Sequence, residues 1–295
     1  MRKLFQTQCL SSSGVFLLIC TLLCISCGND SYLSPKGYHI NKPVKSELGK
    51  DLNEVSGLSF NIDDTSILAI SDSKRKVYQL DLRRMKLKDY SEKIYTQSDF
   101  EDIVKLDTTV FVLISNGTIL SMPLRVKDTT RTVAFPFWST EKNDFESMYY
   151  DASKKSLIII CKSCEADKGQ QVRSAYRFNL DTKTFDSSAF YTISSDEVKS
   201  NLKKDDAEFK PSAAAIHPLE NRLYILSSAG QLLVIADTNG KVEEVYNLNP
   251  DLYPQAEGIT FAPNGTMYIS NEGKYGSPTL LMFPYKLKPA SRKKK

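Results

Sequence analysis

The stretch NDFESMYYD, residues 143–151, decides how this chain is read. A glutamate follows a phenylalanine, and apolar positions then alternate as they would along a half-buried strand. A core strand rarely opens on a carboxylate. Yet SDFEDIVKL, 98–106, does the same 45 residues earlier, and the pattern recurs: NEVSGLSFN from Asn53, DFEDIVKLD from Asp99, DFESMYYDA from Asp144, KPSAAAIHP from Lys210 and QAEGITFAP from Gln255. Aligned on the acid, the column reads Glu54, Glu101, Glu146, Ser212 and Glu257, with spacings of 47, 45, 66 and 45 residues.

Each unit continues with a second apolar segment (SILAISD, TVFVLISNG, SLIIICKS, RLYILSS, TMYISNE). A third follows (KVYQLDL, TILSMPL, SAYRFNL, QLLVIAD, TLLMFPYKL), then a fourth (EKIYT, RTVAFPF, SSAFYTI, EEVYNL). Four short strands in about 45 residues is the signature of a β-propeller blade. The fold class is therefore all-β, a single five-bladed propeller of four-stranded blades over residues 37–288, with six blades as the alternative. The last repeat lacks a fourth strand. GYHINKPVKSELG, 37–49, is expected to supply it, tying the first part of the chain to the last and removing an open edge. The spacing of 66 is explained by an extra charged segment, 194–209, expected to project as a loop containing a short helix.

The chain's ends differ from the rest. Residues 1–26 open with Arg2 and Lys3 and run apolar from Val15 to Ile25, which reads as a signal peptide. Ser26-Cys27 resembles the lipobox of bacterial lipoproteins, in which cleavage precedes a lipidated cysteine. Cys27 is the expected lipidation site and 27–36 the tether; a plain signal peptide cut elsewhere is the alternative. Removing 1–26 takes two of the four net positive charges and no acid, leaving +2, too near neutral to suggest nucleic acid. The terminal 289–295 reads as a solvated basic tail. Cys161 and Cys164 close a strand instead of opening a helix, so a local disulfide is expected ahead of a redox motif or inert thiols. With only His39 and His217 in the chain, zinc has a poor ligand set.

In a propeller the first strand of each blade lines the central channel, and all first strands run the same way. The acids of the column would therefore converge on one mouth. Crowded carboxylates either keep protons or gather a cation. A hard divalent ion with oxygen ligands, calcium above all, suits irregular geometry. The expected metal ligands are Glu54, Glu101, Glu146 and Glu257. Asp72, Ser212 and Glu272 are possible additions, and the second-strand ends Ser115, Ser227 and Asn271 lie close by in the pattern. A purely structural network and a water-filled acidic mouth are the competing readings. Asp99 and Asp144 join the site or serve as turn residues, and Phe100 and Phe145 are expected to pack between blades.

EVSGLSFN, DFEDIV, DFESMYYD, KPSAAAIHP with LYILSS, and QAEGITF with MYISNE together resemble the SdiA-regulated family of bacterial exported propellers, from about residue 50 to 285. The resemblance implies a secreted or membrane-anchored propeller with a metal site at the blade-start glutamates. The chain departs at Lys210-Pro211-Ser212, where the family carries an acid-led sequence; a lysine there would offset part of the mouth's charge. The expectation is a lipid-anchored monomer in the bacterial envelope, on the outer membrane, binding calcium and a small ligand or envelope protein. A calcium-dependent hydrolase of phosphoesters or lactones is the alternative, and it would need basic side chains such as Lys162, Lys210 or Lys274 to converge on the ion. A docking protein using the 194–209 segment and exposed tyrosines at 149, 150 and 253 is the third reading.

Overall fold

The computed structural model describes residues 32–63, 65–91, 93–94, 99–123 and 132–286. The expected signal peptide, Cys27 and the basic tail lie outside the described residues, as does the beginning of the expected tether.

Five antiparallel sheets form the blades. The first holds Val55–Asn61, Ser66–Ser71, Lys76–Asp81 and Lys86–Asp89; the second Phe100–Leu106, Thr109–Ile114, Ile119–Pro123 and Val133–Phe135. The third holds Asn143–Asp151, Ser156–Cys164 and Val172–Asn179. Its edge is made in two pieces, Thr184–Phe185 and Tyr191–Ser194, both paired to Val172–Asn179. The fourth holds Ala213–Ile216, Leu223–Ser227, Leu232–Ala236 and Val242–Asn247. In the fifth, Ala256–Phe261, Met267–Asn271 and Thr279–Phe283 are completed by Val44–Glu47, which pairs antiparallel with Thr279–Phe283. The closing strand thus comes from the segment expected of it.

The five inner strands contact one another in a closed ring, fifth against first included. Side chains stitch the ring: the Phe60 N–H donates to Thr260 Oγ1, Lys105 N–H to Ser59 Oγ and Met148 N–H to Asp102 Oδ2, and Ser212 Oγ–H to the Ala256 carbonyl. Each inner hairpin turns on a left-handed residue: Thr65, Asp107, Lys155, Asn221 and Gly265. The core is five clusters, one in each seam between neighbouring blades. Phe100 fills the seam of blades one and two and Phe145 that of two and three, both fully buried.

Three expectations are corrected. The fourth strand of the first blade is Lys86–Asp89, whose register continues directly from Lys76–Asp81, and not EKIYT. The 194–209 segment does not project. Ser194 caps helix Ser195–Leu202 by accepting from Glu197 N–H, Glu197 Oε2 accepts the Val242 N–H, and Val198 and Phe209 are buried in the seam of blades three and four. His39 precedes the closing strand and is exposed.

His217 is the buried one. Its Nδ1 accepts the N–H groups of Leu219 and Glu220, so its proton sits on Nε2, which donates to Tyr38 Oη; Tyr38 in turn donates to the Gly265 carbonyl. Burial lowers its pKa, consistent with a neutral ring. Packed against Tyr38, Phe261 and Tyr285, it belongs to the closure of the ring.

Candidate functional site

The pairing register of the inner strands explains why acids stand where core residues belong. Phe100 pairs with Ile114 and Asp102 with Leu113, so Glu101 is an extra residue. In the same way Glu146 is skipped between Phe145↔Cys161 and Ser147↔Ile160, and Glu257 between Ala256↔Asn271 and Gly258↔Ser270. Each is a β-bulge, a device that re-aims a side chain without ending the sheet. The N–H of Ser212 reaches the carbonyl of Leu226, the residue opposite Ala213, so Ser212 takes the same place in blade four.

In the first blade the shift falls between Val55 and Leu58. Moreover, the Glu54 carbonyl accepts from Asp72 as the Asp99 carbonyl does from Ser115 and the Gln255 carbonyl from Glu272. Glu54 is therefore equivalent to Asp99 and Gln255, and Ser56 occupies the bulge. The column is Ser56, Glu101, Glu146, Ser212 and Glu257. Glu54 joins the mouth from the rim, where it is exposed.

The residue after the bulge must let neighbouring blades approach. A Cβ on Gly57 would meet Asp102 Oδ1 at 2.6 Å, and one on Gly258 would meet Leu58 Cγ at 2.8 Å. Asp102 is itself buried, its two oxygens accepting from Ile103 and Met148, which leaves it a structural role.

The bulge acids form an electrostatic web. Burial, then the charges of Glu146 and Asp144, push Glu101 up to about 9. Burial, then Glu146 and Glu272, take Glu257 to about 8, and burial, then Glu54 and Glu146, take Glu272 to about 7. Glu146 is the hub. Its Oε1 accepts from Lys162 Nζ, and its Oε2 is buried and accepts no hydrogen bond. Burial raises the Glu146 carboxyl despite Lys162. Burial would lower Lys162, but the hydrogen bond and charge of Glu146 hold it up. The two directions oppose each other, and the direct contact favours ammonium facing carboxylate at neutral pH.

Lys162 reaches Glu146 because it too is a bulged residue, skipped between Asp144↔Ser163 and Phe145↔Cys161. The disulfide Cys161–Cys164, with Cα atoms 6.0 Å apart, brackets it. That pairing matches the expectation from the CxxC spacing.

Beside this corner opens a cavity of about 450 Å³, lined among others by Glu54, Ser56, Asp72, Glu101, Glu272 and Lys274. Asp72 is fixed there by the Phe100 N–H, donated to Oδ1. One candidate ligand is spent on the fold, Ser227, whose Oγ accepts from Lys210 N–H; Asn271 is anchored through Nδ2, which donates to Leu252 O and Thr279 Oγ1, while its Oδ1 is buried and accepts no hydrogen bond. Lys210 Nζ pairs with Glu208. Of the tyrosines proposed for docking, Tyr149 and Tyr253 are buried and Tyr150 half-buried. Among the described residues no three His, Cys, Asp or Glu side chains already stand as a closed metal cage, and no helix is long and apolar enough to cross a membrane.

The SdiA-regulated family matches residues 31–275. No curated protein matches the chain. Among solved structures, a candidate oxidoreductase (glucose dehydrogenase) of Thermus thermophilus shares 11% identity at a TM-score of 0.51, covering 82% of this chain and 100% of that one. A Bacteroides thetaiotaomicron protein of unknown function shares 11% at 0.50, covering 78% and 56%. A calcium-binding protein, regucalcin, of Agrobacterium tumefaciens shares 10% at 0.49, covering 87% and 97%. At such identities the likeness to the first two bears on fold alone.

Proposed function

The chain belongs to the SdiA-regulated family, and from that premise and the geometry of the acidic mouth we propose that it is a binding module: an exported propeller, lipid-anchored through Cys27 in the bacterial envelope, on the outer membrane, that holds calcium and with it a small ligand or envelope partner. The observation that carries this reading is the set of bulges at Glu101, Glu146 and Glu257, with the charge of Glu146 felt by the other two. Burial raises all three carboxyls, and the charge of Glu146 adds to the rise at Glu101 and Glu257; a divalent cation would relieve them. The donors are carboxylates and hydroxyls, which fit calcium's preference for oxygen. The buried, unpartnered Glu146 Oε2 is an acceptor in want of a donor or an ion. Glu101, Asp72 and Glu272, with Glu54 at the rim, would supply ligands from the cavity side, and Glu146 and Glu257 from the other. Ser212 is a weaker candidate, because its hydroxyl already donates to Ala256 O. Since these groups do not form a closed cage, water or the bound ligand would complete the coordination.

A bound ion stabilises by mass action. Millimolar calcium should raise the thermal midpoint, and Glu101→Gln with Glu146→Gln should abolish the increase. No shift, together with no metal by elemental analysis after gentle purification, would remove the ion from the reading. Cys27→Ala should release the protein from membranes. A protein that stays bound would remove the anchor.

One observation favours the hydrolase as a second reading: Lys162 contacts Glu146 and Lys274 lines the cavity, so two cations stand at the same mouth for an anionic substrate. Turnover of an aryl phosphate or a lactone that needs calcium and is lost in Lys274→Met would promote it over simple binding.

A further inference from the structure

The other end of the channel is a second cavity, of about 530 Å³, reached by all five inner strands through residues such as Phe60, Val104, Met148, Ala215 and Phe261. That volume lies within the roughly 300–1,000 Å³ of small-molecule sites. None of the bulge acids lines it.

Most of the wall is apolar. Ser59 Oγ and Thr260 Oγ1, which line it, already accept the N–H groups of Lys105 and Phe60. Tyr149 Oη is shared with Tyr191 Oη. A water molecule needs two to four polar partners, and the apolar side chains that make up most of the lining supply none. The cavity suits an apolar body instead.

The polar exception is sharply placed. Among the described residues lining the cavity, Lys105 is the one cation. Its side chain is 6% exposed, while Asp63, its ion-pair partner at 2.8 Å, is 69% exposed. The ammonium is built into the wall, and its counter-ion stands in solvent on a turn. Ile62, also 69% exposed, forms an apolar lip beside Asp63, and Asp107 lies exposed on the rim. A fixed buried cation with a replaceable partner, at the edge of an apolar chamber, matches a molecule with an apolar body and one anionic end.

We propose that this end of the channel binds a linear amphiphilic carboxylate of the fatty-acid type, its chain among the inner-strand apolar residues and its carboxylate displacing Asp63 from Lys105. The site is independent of the acidic mouth and of any ion there.

The test is calorimetric titration of the purified full-length protein with decanoate, kept below its micelle concentration, against decanol and decyltrimethylammonium. Saturable one-to-one binding of decanoate is expected, at least about tenfold tighter than either comparison compound, a gap of about 1.4 kcal/mol. Lys105→Gln should remove that preference while leaving decanol unchanged. Ile62→Glu, an exposed change that should not disturb folding, should weaken decanoate by placing a negative charge at the lip. Glu101→Gln should leave decanoate binding unaltered, which separates this site from the acidic mouth. Absence of saturable binding, equal binding of decanoate and decanol, or decanoate binding indifferent to both Lys105→Gln and Ile62→Glu would each overturn the proposal.

Discussion

At one end of the channel Glu101, Glu146 and Glu257 stand in bulges; toward the other end the same three strands contribute Val104, Met148 and Phe261 to an apolar wall. The strands are continuous and the residue types opposite. The difference is one of register. Past the bulge each strand pairs without interruption, as in Ile103↔Val112, Val104↔Phe111 and Lys105↔Val110, and regular alternation keeps the pattern of a packed sheet. At the bulge one residue per strand is excused from pairing, and there a carboxylate can be carried without breaking the ladder. One inserted residue per blade is enough to give a uniform barrel of strands two chemically distinct ends.

The bulges are therefore where the comparison can be broken most violently. Gly258 follows the fifth-blade bulge and lets Leu58 and Ser270 approach. Gly258→Val should jam the seam of blades five and one and cost roughly 3 kcal/mol, the upper end for overpacking. Urea unfolding would show this as a lowered midpoint at unchanged slope. A loss below about 0.5 kcal/mol would mean that the seam gives way easily and that the bulge is not tightly specified.

The second effect is a pH dependence that only the acidic end should create. Glu101, Glu257 and Glu272 keep their protons to about 9, 8 and 7 in the folded chain, against an ordinary 4.5. Between those values the folded state binds more protons than the unfolded state, so stability falls as pH rises. With chelator present, the thermal midpoint should drop by several degrees from pH 5 to pH 9, a shift typical of a kcal/mol-scale change in a domain of this size. Glu101→Gln should flatten the upper part of that fall, and calcium should stabilise more at pH 8 than at pH 6. A flat profile in chelator would show these carboxyls to be better solvated than their burial implies.

Repeats made the ring legible from sequence, because every blade must bury the same faces. The missing fourth strand of the last blade pointed to residues before the first repeat for the same reason. Register was not legible. Glu54 sits before an apolar run just as Glu101 does, but pairing puts Ser56 in the bulge; the one trace in the sequence is the spacing, 47 residues from Glu54 to Glu101 against 45 from Ser56, and the repeated acid outweighed it. The Lys86–Asp89 edge was missed because it is short and mostly exposed, with little apolar pattern to read. Val198 and Phe209 were passed over inside a charged segment, where two buried side chains are enough to dock a short helix. The apolar chamber was invisible because its lining residues read as ordinary core until the ring brings all five strands together.

The two smallest effects set the ends side by side by the same operation, removal of one member of an ion pair. Lys162→Met leaves Glu146 facing Glu101 and Glu257 without its ammonium, and should cost about 1–2 kcal/mol at pH 8, less than a fully buried pair because both partners keep some solvent contact. It should also enlarge the stabilisation by calcium. Asp63→Asn removes an exposed partner and should cost no more than about 0.5 kcal/mol, with no change in the pH profile, while freeing Lys105 and tightening decanoate. Equal costs for the two variants would mean that Lys105, despite its 6% exposure, depends on Asp63 as Glu146 depends on Lys162. The lower end would then hold a closed ion pair, with no cation left to meet a ligand.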